Sequence, residues 1–199
     1  MNILSPKEKE LTLEIIDTGY KNAAKSFSVI IQQNIEIEIS EIEVTKSEPD
    51  YRHFIKSGED ITMLTTKIIG EVEGKSYLLL NEEEKSAIFS ACLPPQKDEE
   101  ARKTMEEAML KEIDNIVSAT VITQFSNALG FSIYGDVPHL FYMPAKEVAT
   151  TIADELKQVS DYFLTVNTRF MFENDTTLQP NFFWILSSQF LERIRERTV

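Results

Sequence analysis

The sequence predicts an α/β domain of the α+β type, duplicated about a pseudo-twofold axis, in which an antiparallel sheet carries two long helices on one face. Three observations lead there. Two helical patterns of unusual length run over about Lys7–Gln32 and Glu99–Leu129, with apolar residues recurring every three to four positions. Each is followed by strand patterns and then by a short amphipathic helix. Laying Glu14 over Glu112 also puts Phe27 over Phe125, Ser28 over Ser126, Ile31 over Leu129 and Ile35 over Ile133 without a gap. A divergent internal duplication accounts for all three, and burying the apolar stripes of both helices needs a shared sheet.

In the first half, Ser5-Pro6 is a start signal, with serine as the cap and proline at the first helical position. Leu11, Ile15, Ile16, Gly19, Ala23, Phe27, Ile30 and Ile31 mark the apolar stripe of the helix that follows. IEIEISEIEV, from Ile35 to Val44, alternates as a half-buried strand does. Asp60–Val72 and Ser76–Leu80 read as two further strands joined near Glu73-Gly74-Lys75, and Asn81 caps a short helix through Ala91. Leu93-Pro94-Pro95-Gln96-Lys97-Asp98 interrupts the pattern as a proline pair must, which divides the single domain into repeats at about 7–92 and 99–197 with a linker at 93–98.

The second half repeats the order. After its long helix come a short strand at Phe131–Tyr134, a helix at Ala145–Val159, an antiparallel pair at Asp161–Glu173 and Asn181–Ser187, and a closing helix at Gln189–Arg197. Trp184, in NFFWIL, belongs to the sheet core.

Composition narrows the function classes. With 199 residues and 42% hydrophobic content the chain can bury a proper core. No stretch approaches the roughly 20 apolar residues of a membrane span, and MNILSPKEKE has no basic region leading into an apolar run, so a cytoplasmic protein without membrane contact is expected. A net charge of −13 without a basic stripe disfavours nucleic acid as a partner. Cys92 is the only cysteine, which excludes an internal disulfide and a cysteine-based zinc site. His53 and His139 have no metal-ligand spacing, and six glycines supply no phosphate-cradling loop.

Chemistry concentrates on the second long helix. At about 100° per residue, Ala108, Glu112, Asn115 and Ala119 fall within roughly 60° of one another, opposite Leu110, Ile113, Val117, Val121 and Ala128. A carboxylate and a carboxamide three apart, flanked by alanines, form a face that is expected to meet solvent and to allow close approach of a partner. Pro138 follows Asn115 after 22 intervening residues and is expected to mark where the chain turns back after the next strand.

Glu112, Asn115 and Pro138 in this spacing resemble the signature of the CheC/CheX/FliY phosphatases, which hydrolyse the aspartyl phosphate of the response regulator CheY. The duplicated architecture is also what the resemblance implies, and it extends over most of both halves. It implies Asn115 as the group that orients the attacking water and Glu112 as the contact for the partner's lysine, with Ala108 and Pro138 structural at the site. It implies a CheY-like receiver domain as partner, with Mg2+ on that receiver and no cofactor on this chain. Where the family has Asp or Ser, this chain has Ala108. In the first half the equivalents are Glu14, Asp17 and Ser40, so that site is degenerate, because a carboxylate cannot donate to water and repels a phosphoryl group.

Two other readings account for the same residues. A module that keeps the scaffold without the chemistry would dock a receiver, a CheD-like protein or a flagellar-switch component. In an unrelated α/β protein, Glu112 and Asn115 would be ordinary helix residues.

Overall fold

Capping residues set where the helices of the computed structural model begin; it describes residues 3–46, 60–156, 162–173 and 176–198. Ser5 caps α1 (Pro6–Ile31) in a capping box with Glu8, and Asn81 does the same for α2 (Glu82–Cys92) with Glu84. Asp98 accepts from the Ala101 N–H at 2.7 Å at the start of α3 (Glu99–Leu129), whose end is set by Gly130 in the left-handed region at φ 75°. The other helices are α4 (Ala145–Leu156) and α5 (Ser188–Thr198). His53 lies outside the described residues.

The strands are β1 (Ile35–Thr45), β2 (Asp60–Gly70), β3 (Gly74–Leu80), β4 (Ile133–Gly135), β5 (His139–Pro144), β6 (Tyr162–Phe172), β7 (Thr177–Leu178) and β8 (Asn181–Leu186). They form one antiparallel sheet in the order β1-β6-β8-β3-β2-β4, with β5 also on β2 and β7 on β6. The order is symmetric about the central β3/β8 pair. Each half contributes a hairpin, β2–β3 or β6–β8, and lends its first strand to the hairpin of the other half: β1 lies on β6, and β4–β5 on β2. The halves are therefore interleaved, and neither edge of the sheet is made within one repeat.

Helices α1 and α3 pack together on one face of the sheet, as expected. Their crossing is close at Gly19, where a Cβ would stand 2.8 Å from Val121 Cγ2 and 2.9 Å from Val121 Cα, so only glycine allows this approach. The core below them includes Ile16, Tyr20, Phe27, Val121, Phe125 and Trp184, all at most 2% exposed. Phe125 meets the Trp184 ring edge to face at 6.2 Å. On the opposite face α4 covers a smaller cluster containing Ile61, Met63, Tyr77, Phe163 and Phe183. Among the described residues no helix is long and apolar enough to cross a membrane.

One local expectation needs correction. The chain does not turn back at Pro138. Strands β4 and β5 run in the same direction along one partner, β2, and Pro138, which is buried, sits in the break between them. The pairs Ile68↔Gly135 and Thr65↔His139 enclose two residues on β2 and three on the other side, so residues 136–138 form a bulge with one extra residue. Proline suits such a position because it has no N–H to offer the ladder.

A candidate functional site on the second long helix

The packing of α3 decides which of its side chains can act. Leu110, Ile113, Val117 and Val121 are at most 3% exposed and hold the helix on the sheet, leaving the opposite face outward. On that face Ala108, Asn115 and Ala119 are exposed and Glu112 is half-buried. Among the described residues, neither the Asn115 carboxamide nor the Glu112 carboxylate has a hydrogen-bond or ion-pair partner. Both are thus free to bind something outside the chain. An amide can accept from and donate to a water molecule at once, and a carboxylate can receive a cation.

The α1 equivalent is closed. Asp17 is half-buried and paired with Lys21 at 2.6 Å, whereas the residue that matches Lys21 on α3 is Ala119. Glu14 is exposed. Ser40, the counterpart of Pro138, lies where β1 slips by one residue against β6, between the pairs Ile39↔Thr168 and Glu41↔Asn167. The bulge is therefore present in both halves, while the amide and the open helix face occur only in the second.

The β4–β5 edge exposes large apolar side chains, none of which stood out in the sequence, and of these Tyr142 lies on the α3 side of the sheet. Tyr134, Val137, Phe141 and Tyr142 are exposed by 61, 70, 41 and 52%. Tyr142 stands near the first turns of α3, with Lys85 Nζ 5.4 Å from its ring centre, while Lys85 also pairs with Glu82. Partial burial raises the Tyr142 phenol, and the charges of Glu107, Glu106 and Glu82 raise it further. The short run HLFYMP, bracketed by prolines, masks the alternation that would have revealed an edge strand with outward aromatics.

Beneath Asn115, at the helix–sheet boundary, lies Asp114, fully buried. Its Oδ2 accepts a hydrogen bond from Thr66 Oγ1 at 2.6 Å, and its main-chain oxygen accepts one from Ser118 Oγ at 2.6 Å. Oδ1 has no partner among the described residues, a loss typically of about 1–3 kcal/mol for a buried polar group. Burial pushes this carboxyl from 3.8 to about 7, with the Thr66 hydrogen bond pulling the other way. The signal for Asp114 was available in the sequence: on the helical wheel it lies within roughly 20° of Val121, on the core stripe.

An interleaved, pseudo-twofold antiparallel sheet carrying two long helices on one face is a fold of the CheC/CheX/FliY type. Among solved structures the chain resembles FliY of Thermotoga maritima, at 17% identity and a TM-score of 0.74, with 98% of each chain covered. It also resembles the chemotaxis protein CheX of Desulfovibrio desulfuricans (14% identity, TM-score 0.56, 87% of this chain and 99% of that one). A third likeness is to a FliG–FliM complex from H. pylori (12% identity, TM-score 0.58, 95% of this chain and 100% of that one). No family model matches the sequence.

Proposed function

We propose that this protein is a phosphatase that removes the aspartyl phosphate from a CheY-like receiver domain in the cytoplasm. The observation that carries the reading is the free, outward Asn115 amide one helical turn from Glu112 on an alanine-flanked face, in a fold shared with FliY and CheX.

The division of labour follows from the groups present. An acyl phosphate needs little help from covalent chemistry, because the receiver supplies a divalent ion and a lysine that together neutralise the phosphoryl oxygens. What remains is to place a water in line with phosphorus. Asn115 holds that water through its carbonyl oxygen and NH2 group, and Glu112 fixes the receiver by a charge-assisted contact with its lysine. Ala108 and Ala119 let the helix approach closely, and the bulge at Pro138 shapes the neighbouring strand edge. Mg2+ belongs to the receiver, and this chain contributes no cofactor.

The test is phosphate release from a phosphorylated receiver. Wild-type protein shortens the phosphate lifetime, and Asn115→Ala abolishes most of the acceleration; an equal rate with the variant removes the assignment. A second reading has support in the likeness to FliM in its complex with FliG. In that reading the scaffold is a non-catalytic adaptor for a receiver, a CheD-like protein or a switch component, and Ala108 reflects the loss of chemistry. A receiver that binds while its phosphate decays at its intrinsic rate would favour the adaptor.

A further inference from the structure

A carboxyl group at the centre of an apolar interface is an expensive way to pack a helix, and the phosphatase reading gives Asp114 no task. Its location suggests one. Thr66, the donor to Asp114, is one of the two β2 residues directly across from the bulge at 136–138. The next β2 residue, Lys67, accepts at its main-chain oxygen from the Asp136 N–H at 2.8 Å. Gly135 closes the arrangement, since a Cβ there would stand 3.3 Å from Thr66 Cγ2 and 3.1 Å from Ile122 Cδ1 of α3. Helix, β2 and bulge thus meet at the Asp114–Thr66 hydrogen bond, one peptide bond from Asn115.

The first repeat lacks this bond. There the counterpart of Asp114 is Ile16, apolar and fully buried. By register, the residue matching Thr66 across the other bulge is Thr168, whose hydroxyl donates instead to the Pro180 carbonyl at 3.2 Å. Among the described residues, a side-chain hydrogen bond from the long helix to the strand across the bulge occurs only in the half that carries the asparagine.

We infer that Asp114 is a positioning residue that acts through Thr66, locking the turn of α3 that carries Asn115 onto β2 beside the Pro138 bulge. This role rests on the phosphatase reading. The hydrogen bond has a direction and a fixed length, so it sets both the rotation of α3 and its height over the sheet, which apolar packing alone leaves freer to slide. An amide that must hold a water in line tolerates little displacement. The ionisable group that feels Asp114 is Tyr20 of α1, while α3 and β2 present the uncharged Ser118 and Thr66 to it.

The experiment compares wild type with Thr66→Val, Asp114→Val and Asp114→Asn. Single-turnover dephosphorylation of a bound receiver, receiver affinity and backbone hydrogen exchange over 111–118 and 135–139 are measured for each. The expected result is a loss of at least tenfold in turnover for both valine variants, with affinity kept within about twofold. Asp114→Asn, which still offers an acceptor to Thr66, recovers turnover. Exchange rises in both segments together in the valine variants. Valine variants that turn over a bound receiver as fast as wild type, or whose two segments exchange as in wild type, would overturn the inference. A wild-type protein that leaves the receiver phosphate untouched would instead sink the phosphatase reading, and exchange would still decide whether the tie exists.

Discussion

Ser40 and Pro138 stand at equivalent one-residue bulges, each in the strand that one repeat lends to the other repeat's hairpin. They match under the same offset that sets Glu14 over Glu112, so helix and bulge keep their relation in both halves. The two sites then diverge in side chains and not in backbone. Asp17 is paired with Lys21 on one helix, and Asn115 is free beside Ala119 on the other.

Closing the first site by an ion pair predicts that it has no share in activity. Asp17→Ala and Lys21→Ala should each leave receiver dephosphorylation within about twofold of wild type. Because the pair is a largely solvent-facing i,i+4 contact between exposed Lys21 and half-buried Asp17, denaturant unfolding should shift by no more than about 0.5 kcal/mol. A large loss of turnover in either variant would mean that both helices act.

The helix crossing makes a sharper demand. Gly19→Ala introduces a methyl group where Val121 Cγ2 and Cα already stand. Alanine favours a helix by about 1 kcal/mol over glycine, yet forcing α1 away from α3 should cost about 1–3 kcal/mol and leave the variant less stable. Thermal unfolding reads the sign directly, and a stabilised variant would contradict so close a crossing.

Asp114 predicts an unusual dependence of stability on pH. The native carboxyl keeps its proton up to about pH 7, whereas the unfolded chain releases it near 3.8. Between those values the native state binds more protons, so this contribution to stability falls as pH rises and is flat above about 7. The full change is on the order of 4 kcal/mol. Urea unfolding across pH 4–8 should show that the Asp114→Asn variant lacks this part of the slope; parallel curves for the two proteins would contradict it.

Much of this was legible in the sequence because long helices and alternating strands leave strong periodic traces. The apolar stripe of α1, the IEIEISEIEV alternation and the caps at Ser5 and Asn81 each lie within a residue or two of where the sequence pattern puts them. The outward face with Glu112 and Asn115 followed from the same arithmetic. The bulge did not, since Gly135 and Pro138 interrupt any period and a sequence cannot tell a turn from a strand that resumes on the same partner. Asp114 is masked in the sequence for a related reason. A charged residue on a helix is expected to be solvated, and its burial depends on β2 placing Thr66 to meet it.

In the phosphatase reading, one amide, on one of the two long helices, orients the water that hydrolyses a receiver's aspartyl phosphate. The most direct measurement is the phosphate lifetime of a CheY-like receiver with Mg2+, alone and with wild-type or Asn115→Ala protein. The expected result is a marked shortening by wild type and a loss of that acceleration on the order of 100-fold in Asn115→Ala, at unchanged thermal stability. A lifetime that wild type does not shorten, or that both proteins shorten equally, would contradict it.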